Sequence, residues 1–297
     1  MITSPFLFFY IMNSIEELVE LVDLKQLTDT SFQGGNYKTP WGRVYGGQVL
    51  AQALQAAYRT VPADRFVHSL HGYFILPGNL DLPIIYEVDT IRDGGSFTTR
   101  RIVAKQNGKA IFNMSASFCL QFEGLEHQIQ MPAIQAPEEL INDDTYNLKY
   151  KEEHPEIYQR IHSERPVEFR RTQHTDHLNP ENREPMRQIW TKVKGTLPDD
   201  IKLHQVCLAY ISDYNLMGTG VLPHRKTFNF SDYNMVSLDH AMWFHKDFDM
   251  NQWLLYDLDS PNTGGGRTFG RGHFFCKDGK LIASVAQEGL LLKKRKK

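Results

Sequence analysis

Cysteine is scarce in this chain: Cys119, Cys207 and Cys276 are the only three in 297 residues, and no two have a paired spacing. That excludes a disulfide framework and a cysteine-rich zinc site, and it fits free thiols kept in a reducing compartment. Charge of one sign is missing too. A formal net charge of −2 at pH 7 offers no general field to nucleic acid or anionic lipid. Long apolar runs are absent. The run within Met1–Ile11 is far short of the roughly 20 residues a membrane helix needs, and it lacks the basic flank and small-residue cleavage site of a signal peptide. The chain contains no Gly-x-Ser-x-Gly elbow, no Gly-x-x-x-x-Gly-Lys-Ser/Thr and no Gly-x-Gly-x-x-Gly. Nucleophile-elbow hydrolases, phosphate-loop enzymes and dinucleotide binders lose their main sequence support.

What is present is ordinary in bulk: 41% apolar and 23% charged residues, typical of a globular protein. The length allows one large domain or two of about 130–150 residues. Residues 1–11 read as a poorly ordered extension and Lys293–Lys297 as a solvated basic tail. Cluster His174-Thr-Asp-His177 has no recognised metal-ligand spacing and reads as a solvated loop. No metal and no cofactor are expected.

Two segments are apolar almost all round. In Gln48–Tyr58 the polar residues Gln48, Gln52, Gln55 and Arg59 form one narrow stripe. In His204–Met217 the apolar residues Val206, Leu208, Ala209, Ile211 and Leu216 leave little polar surface. Both read as helices wrapped by a curved sheet. Shorter signals fill in the rest. Residues 14–25 suit an amphipathic helix, and Phe32–Tyr37 a first strand. His68–Ile75, Pro83–Val88, Phe97–Gln106 and Lys109–Phe118 read as strands, the last two joined by the hairpin dipeptide Asn107-Gly108. A long connection, 124–183, holds a charged helical stretch at Pro137–His162 and a strand-like piece at Val167–Arg171; a second such piece follows at Arg187–Val193.

The first half then recurs. Gln48-Val49 matches Gln205-Val206, Val67 and His71 match Val236 and His240, Ile84–Asp89 matches Leu254–Asp259, and Asn107-Gly-Lys109 matches Asp278-Gly-Lys280. Ordered matches over one period mean two copies of one unit. A long buried helix followed by an antiparallel meander, twice over, predicts an α+β double hot dog, with copies at 12–123 and 184–292.

The repeat also filters for function. Asp213 falls where the first copy has Ala56, Ser237 where it has His68, and Gln287 where it has Ala116. Gln287 shares strand parity with Leu281, Ala283 and Val285, so it faces the helix. One Asp at a helix end is ordinarily capped or solvated. Three hydrogen-bonding side chains at positions that face the core need one another, and together they can hold a water molecule. Asp213 then suits a general base, with Ser237 and Gln287 positioning the water, and a backbone N–H at a buried helix start polarising a carbonyl.

The segments Tyr45–Leu54, Val67–His71, Gly94–Phe97, Ser237–His245 and Val285–Gly289 resemble the acyl-CoA thioesterase II family, a likeness that runs from about Met12 to Gly289. The resemblance implies hydrolysis of medium- to long-chain acyl-CoA to fatty acid and CoA. It also implies an Asp, Thr and Gln around the nucleophilic water, which fall on Asp213, Ser237 and Gln287, with serine here in place of threonine. A histidine at the position of His68 is a further candidate. Peroxisomal relatives end in Ser-Lys-Leu, and the terminal lysines here do not support that address. Acyl-CoA is the expected partner, nucleic acid and a membrane span are not expected, and we expect a cytoplasmic homo-oligomer, a dimer or tetramer. A hot-dog enoyl-thioester hydratase and a non-catalytic acyl-CoA-binding module stay open as alternatives.

Overall fold

The computed structural model describes residues 12–39, 41–161 and 164–294; the expectations for residues 1–11 and for the last three lysine and arginine positions lie outside them. Helices are α1 (Ile15–Val22), α2 (Gly46–Tyr58), α3 (Asp143–Asn147), α4 (Pro155–Ile161), α5 (Ile201–Ser212) and α6 (Leu216–Thr219). Strands of the first half are β1 (Lys25–Thr28), β2 (Ser31–Gly34), β3 (Phe66–Phe74), β4 (Ile84–Asp93), β5 (Phe97–Gln106) and β6 (Lys109–Cys119). Those of the second are β7 (Val167–Arg171), β8 (Met186–Val193), β9 (Tyr233–Ser237), β10 (Asp239–Phe244), β11 (Leu254–Gly264), β12 (Arg267–Cys276) and β13 (Leu281–Lys293).

The described residues form one 13-stranded antiparallel sheet in the order β1-β2-β4-β5-β6-β3-β10-β13-β12-β11-β8-β7, with β9 also on β13. The order reads the same way outward from its centre, as two copies of one meander must when they join through equivalent strands. That join is β3 on β10, in register from Tyr73 opposite Asp239 to Ser69 opposite Trp243. Asn107 and Gly108 take φ of 48° and 72°, the left-handed pair that a two-residue hairpin requires.

The two buried helices lie together against this sheet. Leu50, Leu54, Leu208 and Ile211 are fully buried, each contributing about 1.5–3 kcal/mol relative to exposure. The helices run antiparallel: Tyr58 at the end of α2 donates to Gln205 near the start of α5, and Asp213 after α5 meets Gly47 at the start of α2. Gln48 and Gln52 of the α2 stripe are buried and hydrogen-bonded, with Gln48 Oε1 left without a partner among the described residues. Gln52 Nε2 donates to Leu21 O at 2.7 Å while its Oε1 accepts from Tyr86, and Gln48 Nε2 donates to Asn36 Oδ1 at 2.8 Å.

Three expectations need correction. The helix expected over His204–Met217 begins at Ile201 and stops at Ser212. Tyr256 Oη takes the Ser212 carbonyl at 2.7 Å, and Asn215 turns the chain with φ 71° before α6 begins. The helical stretch Pro137–His162 is broken into two short 3-10 turns, α3 and α4, because Asn142 caps a new start at Thr145 N and Pro155 opens another; His162 lies outside the described residues. The strand expected at Phe32–Tyr37 is β2, which begins at Ser31 and ends at Gly34 because Asn36 leaves the ladder to donate its amide to Leu82 O at 2.6 Å; β1 precedes it.

Candidate active site

Asp213 sits where two helix ends meet. It is the C-cap of α5, the wrong end of that dipole for a carboxylate. Its Oδ2 accepts the Gly47 N–H at 2.9 Å, at the start of α2, whose own N-cap residue Tyr45 makes no side-chain cap. Asp213 therefore caps α2 from the other half of the chain, and α2's positive end offsets the cost of its position on α5. Glycine is required for the approach. A Cβ on Gly46 would lie 2.7 Å from Asp213 Oδ2, and one on Gly47 2.2 Å from Tyr210 O. Because the second clash is with backbone, Gly47→Ala is expected to cost about 1–3 kcal/mol and to lower turnover. Urea denaturation and rate measurements check this, and a variant that matches the parent in both would rule out the close approach.

Ser237 and Gln287 are brought in by a break in a strand. β9 pairs with β13 as far as Ser237 opposite Gly289, and β10 resumes at Ala241 opposite Ala286. Between them Leu238 N bonds Glu288 O, and the Asp239 carboxylate accepts the Glu288 N–H at 2.6 Å, so the interrupted ladder is satisfied. Gln287, 2% exposed, points inward with Ala283 and Val285 as strand parity predicts. Its Nε2 donates to Ser237 Oγ at 2.9 Å.

The network continues to a residue the sequence reading left without a role, His240. Its Nδ1 donates to Gln287 Oε1 at 2.6 Å, and its Nε2 faces Ser212 Oγ at 2.9 Å. With the Gln287 amide turned so that its N–H2 faces Ser237 and its oxygen faces His240, Nδ1 carries a proton. Ser212 Oγ lies 2.9 Å from both His240 Nε2 and Ala209 O, to which it donates. The signal was available: His240 shares parity with Met242 and Phe244, which face the core.

Burial pushes the Asp213 carboxyl above its ordinary value, against the opposing pull of His240, Gln287, Gly47 and Ser237. Burial also pushes the His240 imidazole down, against the pull of Asp213. A raised carboxyl beside a neutral imidazole is a base closer in strength to what work near neutral pH requires. Beside Asp213 and Ser237 lies a cavity of about 360 Å³ whose other walls are mainly apolar, among them Val49, Phe74, Ile111 and Leu290. Walls from both halves line it. The three polar side chains come from the second half, and the first half supplies Gly47 and much of the wall.

His68 is not brought to this cluster. It hydrogen-bonds Ser117 Oγ at 2.8 Å and packs edge-on to Phe97. Gly72 lies opposite His240 in the sheet, and His68 is four residues further along β3, about 13 Å at strand rise. The counterpart positions Ala56 and Ala116 are buried without polar groups.

The fold is that of the double hot-dog enzymes, and among the described residues the carboxylate–hydroxyl–amide cluster lies in one of the two copies. Residues 37–119 match the family described as Acyl-CoA thioesterase N-terminal domain, and residues 157–290 the family Acyl-CoA thioesterase. The chain is 37% identical over 278 residues to Acyl-CoA thioesterase 2 of Haemophilus influenzae, covering 93% of this chain and 97% of that one. It is 37% identical over 280 residues to human Acyl-coenzyme A thioesterase 8, covering 91% and 87%. The crystal structure of an acyl-CoA thioesterase II from Mycobacterium marinum superposes with a TM-score of 0.77 at 36% identity, covering 93% and 98%. The chain belongs to the acyl-CoA thioesterase II family.

Proposed function

We propose that the enzyme hydrolyses medium- to long-chain acyl-CoA at the Asp213 cluster by direct attack of water. Acyl-CoA thioester hydrolysis is the activity its family membership supports. The observation that carries the mechanism is the placement of Asp213 and Ser237 on the wall of a largely apolar cavity, with Gln287 hydrogen-bonded to Ser237. A water held by Ser237 Oγ and the Gln287 amide attacks the acyl carbon and passes its proton to Asp213. The C–S bond of the tetrahedral intermediate then breaks, and the proton returns from Asp213 to the departing CoA thiolate. The Gly47 N–H is occupied by Asp213, so polarisation of the carbonyl falls to the positive end of α2 as a whole. Apolar walls support a fatty acyl chain.

The test is to mix the protein with a saturated acyl-CoA and follow free thiol. Thiol release supports the reading; hydration of an enoyl-CoA without release, or tight binding with neither, overturns it. Serine-directed fluorophosphonates are expected to leave the enzyme active and unlabelled. Stoichiometric labelling of Ser237 with loss of activity would require a covalent route instead.

Assembly into dimers or tetramers belongs to the same proposal, supported by Tyr73 and Trp243, both exposed beside the β3–β10 seam on the face away from the helices; light scattering tests it. A cytoplasmic location is proposed on the three free cysteines. No helix among the described residues is long and apolar enough to cross a membrane.

A further inference from the structure

A second cavity, of about 640 Å³, lies on the other side of the turn that carries Asp213. Its charge is one-sided. Arg165, Arg171, Arg187 and Arg225 line it, and among the described residues lining it Asp143 is the one carboxylate. Asp143 is already engaged: Arg171 Nε reaches it at 2.8 Å, with Arg165 at 3.7 Å and His174 at 3.6 Å. A structural ion network therefore accounts for Arg171 and Arg165.

It does not account for Arg187. This side chain is partly buried with its Nε enclosed, forms no ion pair among the described residues, and that Nε meets no hydrogen-bond acceptor there. Its one hydrogen bond among the described residues is from Nη2 to Gly218 O at 3.0 Å. Burial, with Arg171 and Arg225 nearby, pulls its pKa down to about 9. A partly buried guanidinium among others of its kind needs an anion, and the planar fork of N–H donors matches phosphate in particular. The cavity also offers aromatic surface suited to a planar base in the rings of Phe228 and Phe230, whereas Tyr146 is already covered by His174 on one face and by Lys149 Nζ on the other.

The cavity's position ties it to the reaction centre. The turn Asp213–Gly218 borders both sites. Asp213 lines the apolar cavity and Met217 touches Ser237, while Asn215 and Gly218 line the cationic one, with Asn215 Oδ1 accepting from Arg171 at 3.1 Å. The short helix α6 on this turn carries Gly218, which lines the cationic cavity, and Met217, which touches Ser237 of the apolar one. A thioester lying at Asp213 has its acyl chain on one side of this turn and its nucleotide end within reach of the other.

We propose that this cavity binds a phosphate-bearing nucleotide, namely the phosphorylated adenosine end of the CoA substrate, with Arg187 as the central phosphate ligand. The assignment to substrate rests on the thioesterase reading; the assignment to a phosphorylated nucleotide does not. The experiment uses the full chain and Arg187→Gln, with circular dichroism to confirm folding and Arg187→Lys as a second variant that keeps the charge without the fork. Steady-state hydrolysis is compared for an acyl-CoA and for the same acyl group on pantetheine, which carries no nucleotide. Binding of 3′-phosphoadenosine 5′-diphosphate is followed by calorimetry.

The expected result is a rise in KM for acyl-CoA at least about tenfold larger than any change for acyl-pantetheine, the scale of a lost charge-assisted hydrogen bond. The nucleotide should bind the parent, compete with acyl-CoA, and bind Arg187→Gln weakly, with Arg187→Lys between the two. Equal changes for both thioesters, or none for either, overturn the substrate assignment. Nucleotide binding that depends on Arg187 while KM for acyl-CoA stays unchanged also overturns it, and gives the cavity to a free nucleotide instead. Failure of the nucleotide to bind the parent overturns the proposal entirely. Absence of thiol release from both thioesters, with nucleotide binding intact, sinks the thioesterase reading and not the phosphate site.

Discussion

Replacing Asp213 by asparagine is expected to lower acyl-CoA turnover at least about a hundredfold, the scale of a lost general base, while leaving the fold as stable as before or more so. The two halves of that expectation have separate causes. Asparagine keeps an oxygen that can accept the Gly47 N–H, so the start of α2 stays capped. It has no proton to take from water at neutral pH. The stability follows from the raised carboxyl pKa. A carboxyl that holds its proton more tightly folded than unfolded makes stability fall as pH rises, between the ordinary value near 3.9 and the raised one. Above that window the ionised group is a net cost, which the amide removes. Urea midpoints at mildly acidic and neutral pH should therefore differ less in the variant than in the parent. The same shift places the acidic limb of the parent's kcat/KM profile above the usual carboxylate range, because Asp213 must be ionised to act. Near-normal turnover in the variant would remove Asp213 from its role.

Gln287→Ala is expected to cost roughly 10²–10³ in turnover, about 2.7–4 kcal/mol if the amide behaves as a lost transition-state donor. The substitution removes the donor to Ser237 and leaves His240 Nδ1–H without its acceptor, so some loss of stability accompanies it. The control is Ala116→Ser at the matching position of the first half, which should change stability slightly and turnover hardly at all. Steady-state rates of both variants on one acyl-CoA, with circular dichroism, make the comparison. Equal losses in the two, or full activity in Gln287→Ala, would end the assignment of the chemistry to the second half.

What could be read from the residues alone divides along a physical line. Features set by neighbours in the chain were legible. Two-residue alternation placed Gln287 toward the core, and Asn107-Gly108 announced its hairpin. Near-total apolarity marked α2 and α5 as interior, and comparison of the two copies singled out Asp213, Ser237 and Gln287. Features set by distant partners were not. Nothing local says that α5 must stop at Ser212; Tyr256 and the left-handed Asn215 decide that. His240 looked like one more strand residue until Ser212 and Gln287 closed on it from either side. The cap on Gly47 comes from a residue 166 positions away. The arginines of the cationic cavity come from scattered segments between Asp143 and Phe230, and only the folded chain gathers them.

The mirrored strand order has a consequence for how copies of this chain can misassociate. An open sheet grows by adding strands at its edges, and here both edges resist addition. β1 is four exposed residues long. The outer side of β7 is occupied by its own chain, through a bridge from Asn142 to Arg170 and the Arg170 side chain on Pro137 O. The vulnerable strands are the ones in the middle. A first half released without the second, by proteolysis or interrupted synthesis, would bare the stretch Ser69–Tyr73 of β3 that β10 covers, together with the apolar residues of α2 that pack on α5. Such a fragment is expected to pair with another copy of itself, so the seam that completes the enzyme is also where its incomplete form sticks.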